Sequence, residues 1–249
     1  MSGHSKWSQI KRQKGVNDAK RGQIFTKFGR EIMVAARQGG PDPESNFRLR
    51  LAVQRAKEQN MPVENIDRAI KRASGGAEGV VLEEITYEGY GPSGVAVFVE
   101  ALTDNRNRTV AEVRNLFTRS GGCMGEAGSV AWLFDARGIL TIEPGKVDQD
   151  ELVLAAIDAG AEDVKIEDGY IEVYTQPHDL EPVRKKMESA GVKVTSADFS
   201  RVPKTTVALQ EKESLQTLRL MDKLEELDDI QRVYTNADIP DEVLKKYEG

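Results

Sequence analysis

Apolar residues recur every three or four positions along the first 75 residues, then alternate with polar ones beyond a glycine-rich break. The helical period predicts a first helix from Asn17 or Asp18 to Gln38, stopped by Gly39-Gly40-Pro41. Ile24, Phe25, Phe28, Ile32, Ala35 and Ala36 fall on one arc of roughly 120°, with Lys20, Lys27, Arg30 and Arg37 on the next. Arg21 lands inside the apolar arc, so its stem has to snorkel out. A second helix fits Ser45–Gln59, with Leu49, Ala52, Val53 and Ala56 facing inward. A third fits Pro62–Ser74, where Pro62 suits the first turn and Ile66 and Ile70 form an i, i+4 seam. Gly75–Gly79 reads as a linker.

After the linker the period becomes two. Glu83–Tyr90 and Val95–Leu102 read as strands joined by a turn at Gly91-Pro92-Ser93-Gly94. Thr109-Val110-Ala111-Glu112 has the spacing of a capping box and predicts a helix through Arg119. A glycine-rich stretch, Gly121–Gly128, precedes a strand expected at Ser129–Phe134. The next elements are strand Gly138–Ile142, helix Asp150–Ala159, strands Val164–Glu167 and Tyr170–Tyr174, helix Leu180–Ala190 and strand Val192–Phe199, an order of ferredoxin-like βαββαβ type. A helix at Ser214–Leu227 and a strand at Gln231–Tyr234 have no core of their own. Joined to the earlier β-β-α-β elements, they complete a second sheet domain. The expected fold is α+β: a three-helix domain with a basic arm (1–76), a discontinuous α+β domain (77–136 with 207–249) and a ferredoxin-like domain inserted within it (137–206). Two separate domains followed by a helical tail is the alternative.

Composition narrows what such a chain can do. At 249 residues with 31% charged positions, it is long enough for two or three cored domains. No apolar run approaches the roughly 20 residues of a membrane span, and the first residues lack the apolar segment of a secretory signal. One cysteine, Cys123, excludes an intramolecular disulfide and a cysteine-rich zinc site, which fits the cytoplasm. The net charge of −6 is unevenly divided. Residues 1–75 hold 16 Lys and Arg against 7 Asp and Glu, a net of +9, which leaves −15 for the remainder. A basic head on an acidic body is a pattern of chains that meet a polyanion at one end.

The candidate polyanion contacts are Lys6, Lys11, Arg12, Lys14, Lys20, Arg21, Lys27 and Arg30, eight cations within 25 positions, together with Trp7, whose ring could stack on an exposed base. Residues 1–16 bury too little apolar surface to order themselves and are expected to form a mobile arm. Asp104-Asn105-Arg106-Asn107-Arg108-Thr109 puts Arg106 and Arg108 beside two amides at a helix start. That is either an anion contact or an Asx turn leading into the helix. The glycine-rich Gly121–Gly128 follows a helix and precedes a strand, the reverse of a phosphate loop, so it reads as connection geometry. Glu225, Glu226, Asp228 and Asp229 read as a solvating acidic surface. His4 and His178 are the only histidines, and no metal-ligand or nucleophile constellation emerges.

Several motifs in order resemble the YebC/PmpR family, which includes the mitochondrial translational activator of cytochrome oxidase. They are Gly3-His4-Ser5-Lys6-Trp7, Asp18–Gly22 with Phe25, Gly39–Asn46, Asn60-Met61-Pro62, Tyr87–Pro92, Thr103–Thr109 and the Gly121–Ser129 glycines with Phe134. The resemblance covers essentially the whole chain. It implies a helical domain followed by two α+β domains in a cytoplasmic protein with no catalytic residue and no cofactor. It implies a DNA-binding transcriptional regulator that contacts promoter DNA, or a ribosome-associated translation factor that contacts ribosomal RNA and relieves stalling at proline-rich sequences; the residues do not choose between them. No helix-turn-helix signature is evident, which favours RNA on physical grounds. An enzyme with its site between the α+β domains lacks a converging polar set, and a protein-interaction adaptor is the third class.

Overall fold

The computed structural model describes residues 18–74, 81–143, 145, 148–167 and 169–248, with the backbone alone placed at 18–20, 74 and 248. The expected arm at 1–16 and the linker at Gly75–Gly79 lie outside the described residues. Among those residues the head consists of α1 (Asp18–Gly39), α2 (Phe47–Glu58) and α3 (Val63–Ser74). Ile32, Ala35 and Ala36 of α1 pack on Leu49, Ala52, Val53 and Ala56 of α2 and on Ile66 and Ala69 of α3, with Phe25 and Phe28 at the margin. This is the apolar arc that helical spacing predicts, apart from Ile24, which lies outside the cluster.

The corner between α1 and α2 depends on one side chain. Asn46 is buried and caps α2, accepting a hydrogen bond from the Leu49 amide at 3.1 Å. Its amide nitrogen donates to the carbonyls of Ala35 and Gly40, both at 2.8 Å, which satisfies helix-end acceptors of α1. A Cβ on Gly39 would stand 2.6 Å from that nitrogen, and Gly40 takes φ +91° to turn the chain. The Gly39–Asn46 motif is therefore a helix corner built around one amide.

The chain continues through β1 (Glu83–Tyr90), β2 (Ala96–Thr103), α4 (Arg106–Arg119), β3 (Cys123–Met124), β4 (Phe134–Ile142), α5 (Gln149–Ala159), β5 (Asp163–Glu167) and β6 (Tyr170–Thr175). It ends with α6 (Leu180–Ser189), β7 (Val194–Pro203), β8 (Val207–Ala208), α7 (Glu211–Glu225), β9 (Ile230–Thr235), β10 (Ala237–Asp238) and α8 (Asp241–Glu248). Two compact units result: one from residues up to Phe134 together with those from Pro203 onward, the other Asp135–Val202.

In the first unit an antiparallel sheet has the order β3-β1-β2-β9, with Glu83 opposite Thr103 and Tyr90 opposite Ala96. The odd-numbered residues Val97, Val99 and Ala101 of β2 meet Val113 and Phe117 of α4 and Leu218, Met221 and Leu224 of α7. The even-numbered Ala96 and Phe98 face the other way, onto Val130, Phe134 and Tyr234. Both faces of β2 are thus covered, which explains its nearly unbroken apolar run. β8 and β10 form a short parallel pair, and Val243 and Leu244 of α8 close the core. The second unit, β4-α5-β5-β6-α6-β7, has sheet order β5-β6-β4-β7, the ferredoxin-like arrangement.

Two expectations are corrected here. Thr109 does not cap α4: the cap is Asn105, whose side chain accepts from the Arg108 amide at 3.0 Å, and Thr109 lies buried one turn inside. Ser129–Phe134 is not a strand. Ala131–Leu133 forms a 3₁₀ turn and the strand begins at Phe134. The short β8, β10 and α8 had no counterpart in the sequence reading.

The Asn46 corner yields a test. Asn46→Asp keeps the capping oxygen but turns a carboxylate oxygen toward the carbonyls of Ala35 and Gly40. Urea unfolding is expected to show a loss of about 2–3 kcal/mol, the cost of buried acceptors left without donors. An unchanged midpoint would show that the two carbonyl contacts contribute nothing.

Candidate nucleic-acid interface

The predicted contact residues separate into three groups. Lys6, Trp7, Lys11, Arg12 and Lys14 lie outside the described residues, and Lys20 is placed by its backbone only, in the first turn of α1. Arg21 and Arg106 are exposed. Lys27, Arg30 and Arg108 are drawn into contacts within the fold. Lys27 Nζ donates to the carbonyl of Glu225 at the end of α7. Arg30 Nη1 donates to the Leu102 carbonyl at 3.2 Å, the Asp228 carbonyl at 2.9 Å and Asp229 Oδ1 at 2.5 Å. Glu31, next to Arg30 in the chain, pairs with Arg55 of α2 and lies 3.8 Å from Arg232 of β9. The basic stripe of α1 is thus partly a seam between the head and the turn that precedes β9.

Asp229 is the centre of that seam. Its side chain is 4% exposed, contrary to the solvating role read from the acidic run Glu225–Asp229. Arg108 Nη2 reaches both its oxygens, at 3.0 and 2.7 Å, and the Thr103 and Thr109 hydroxyls donate to Oδ2 from 3.1 and 2.6 Å. Arg108 also pairs with Asp104 at 2.7 Å. Burial alone would raise the Asp229 pKa. The hydrogen bonds from Thr109, Arg108 and Arg30 and the Arg30 charge win, holding it at about 2. Nearly every polar residue of Thr103–Thr109 has a structural post: Thr103, Arg108 and Thr109 on Asp229, Asn105 on the helix end and Asp104 on Arg108. Arg106 is exposed.

A second buried carboxylate accounts for the glycine-rich stretch. Glu88 accepts from the amides of Gly128, Val130 and Ala131, each at 2.7 Å. Those amides form an anion nest already filled from within, so this loop is not a phosphate cradle. Gly122 permits the close approach, since a Cβ there would stand 2.3 Å from the Tyr90 carbonyl oxygen. Neither carboxylate was singled out from the sequence, where nothing in their spacing distinguishes them. Among the described residues no group of His, Cys, Asp and Glu could hold a metal, and no helix is long and apolar enough to cross a membrane.

Beside the seam, α1 and α3 border a cleft of about 380 Å³. Phe25, Gly29 and Met33 line it from α1, Arg68 and Arg72 from α3, and Leu82 closes one side.

Comparison with known proteins places these features in a family. Residues 5–76 match the family model of the TACO1/YebC protein N-terminal domain, and residues 82–237 match that of the TACO1/YebC second and third domain. The chain belongs to the TACO1/YebC family. Relatives include a protein of Dehalococcoides mccartyi, 57% identical with 99% of this chain and 98% of that one covered. Another, from Trichlorobacter lovleyi, is 56% identical with 99% of both chains covered. Each is named a probable transcriptional regulatory protein. Among solved structures, a conserved hypothetical protein of Aquifex aeolicus superposes with a TM-score of 0.82 at 47% identity, covering 90% of this chain and 93% of that one. Helices at the N-terminus followed by antiparallel sheet domains are thus the TACO1/YebC architecture, as the sequence predicts.

The depressed pKa of Asp229 makes the seam acid-sensitive. Its folded value lies below the ordinary 3.8, so its contribution is complete above about pH 4 and is lost as the pH falls toward 2. That contribution is on the order of 2 kcal/mol. Asp229→Asn, which leaves Arg30 without a counter-ion and Arg108 with Asp104 alone, is expected to lose about 3 kcal/mol at neutral pH. Urea midpoints across that acid range should fall more steeply for the parent than for the variant; parallel curves would remove Asp229 as the cause.

Proposed function

We propose that this chain is a non-enzymatic, nucleic-acid-binding regulator of gene expression, working in the cytoplasm. The observation that carries the reading is the charge division: a net of +9 over residues 1–75 against −15 beyond. Neutralising phosphates with clustered Lys and Arg releases counterions, and this releases more free energy the more cations reach the backbone. Phosphate contact is assigned to the arm residues Lys6, Lys11, Arg12 and Lys14, to Lys20 and to the exposed Arg21 and Arg106, with Trp7 able to stack on a base, whereas Lys27, Arg30 and Arg108 serve inside the fold. The relatives' names, probable transcriptional regulatory proteins, support transcription as the process; promoter DNA is the partner this reading requires. We likewise propose three domains: the helical head, the discontinuous sheet domain and the ferredoxin-like insertion.

One observation favours the second reading, a translation factor on ribosomal RNA. Arg68 and Arg72 of α3 line a cleft opposite Leu82 and Asp104 rather than standing on a ridge. A duplex is read by a helix that enters its major groove, whereas looped and single-stranded RNA offers bases and phosphates that enter the protein.

Charge reversal at Lys11, Arg12, Lys20 and Arg21 tests the assignment. Binding to promoter DNA and co-sedimentation with ribosomes are followed across a salt series. The parent is expected to lose affinity linearly on a double-logarithmic plot, and the variant's slope to be shallower by roughly 3–4. Unchanged slopes would displace the site from the head. Tight ribosome binding with DNA binding confined to low salt would decide for translation, and the opposite pattern for transcription.

A further inference from the structure

The cleft beside α3 has a composition that the seam does not explain. Its floor is apolar, from Phe25, Met33, Met61 and Ala69, and its rim is cationic. Asn65, Arg68, Ala69 and Arg72 are spaced i, i+3, i+4 and i+7, so they share one face of α3. Arg68 and Arg72 are exposed, and among the described residues neither has a hydrogen bond or ion pair. Arg30 also lines the cleft, but its charge is met by Asp229, and Asp104 at the rim is met by Arg108. Two planar guanidinium forks one helical turn apart, beside an apolar floor, therefore await an anion attached to an apolar body.

Resting on the nucleic-acid reading above, we propose that this cleft receives one splayed nucleotide, with its base against Phe25, Met33 and Met61 and its phosphate on Arg68 and Arg72. The volume of about 380 Å³ suits one such group, at the lower end of the roughly 300–1,000 Å³ of ligand sites. A partner helix would instead need a groove running along several turns. Sulfur and ring atoms give a flat base polarisable contacts, and stacking of this kind tolerates any base. Asn65 adds an amide, donor and acceptor together, which can meet a base edge. The nucleotide can come from a single strand or be free in solution; the chemistry of the site is the same.

Gly29 provides the means of testing it. It lines the cleft, and a Cβ added there meets nothing within 4 Å, so Gly29→Leu starts into open space, occupies the cleft with its isobutyl group and replaces glycine within a helix. The probe is a short single-stranded RNA carrying a central 2-aminopurine, beside the same strand with an abasic site at that position, titrated into the full chain. G29L is expected to weaken binding of the intact strand roughly tenfold without altering the salt slope, and to abolish the change in 2-aminopurine fluorescence. The parent should bind the abasic strand about as weakly, with no further loss on combining it with G29L. Arg68→Ala with Arg72→Ala, two exposed positions that the fold does not need, should reduce the slope by about 1–1.5. Adenosine monophosphate binding that G29L blocks, with no preference between the strands, supports the cleft with a free nucleotide as its occupant. If G29L binds both strands as the parent does, the cleft assignment falls while the nucleic-acid reading stands. A parent that binds no nucleic acid overturns both. Displacement of the probe by an acidic peptide but not by the mononucleotide overturns the nucleotide assignment.

Discussion

A carboxylate taken out of water is costly unless opposite charge and hydrogen bonds meet it, and Asp229 has both. Its partners come from two distant parts of the chain: Arg30 from the head, and Thr103, Arg108 and Thr109 from the end of β2 and the start of α4. Its own carbonyl accepts the Leu102 amide at 2.8 Å, just where the register between β2 and β9 shifts at Glu100 and Ala101. The position of the head, the first turn of α4 and the end of the sheet are thus coupled through one side chain. That coupling also divides the basic residues of the head. Arg30 is taken up by Asp229, and Arg55 and Arg48 by Glu31 and Glu84, whereas Arg68 and Arg72 stand exposed on α3.

The head was the most legible part of the sequence, because its core is local. Ile32, Ala35, Leu49, Ala52, Val53, Ala56 and Ile66 fall on helical arcs that need no knowledge of the rest of the chain, and all pack together. Most strands of the two sheets were legible from their alternation, with β1, β2, β5, β6 and β9 within one residue at each end. However, β4 starts four residues earlier and β7 ends four later than expected, and β3 was not foreseen. Thr109 shows such an intervention. The spacing Thr109-x-x-Glu112 has the form of a cap, but Asn105 takes that position while Asp229, 120 residues further on, takes the hydroxyl. Ser129–Phe134 alternates as a strand would, yet Glu88 captures the amides of Val130 and Ala131 and bends the backbone into a turn.

The candidate site was less legible, since charge patterning counts cations without saying which are already neutralised. Lys27 and Arg30 belong to the same stripe as Lys20 and Arg37, and only the fold shows that Glu225, Asp228 and Asp229 approach them. Arg108 differs from Arg106 in the same way. Arg68 and Arg72, by contrast, carry no mark in the sequence, and only the fold sets them beside apolar side chains.

Chain order gives the seam a further property. The amide of Lys204 donates to the carbonyl of Leu133 at 2.8 Å, so the points at which the chain leaves the first unit and returns to it are tied by a hydrogen bond. Everything between, Asp135–Val202, is a detour that a growing polypeptide completes before β9 and Asp229 exist. During synthesis the head can assemble from its own local contacts while Arg30 still lacks its counter-ion and β2 still lacks its neighbour. The last segment to emerge is therefore the one that closes the first unit, and a chain arrested before position 229 would carry a helical head whose Arg30 has no counter-ion, while Arg55 already has Glu31.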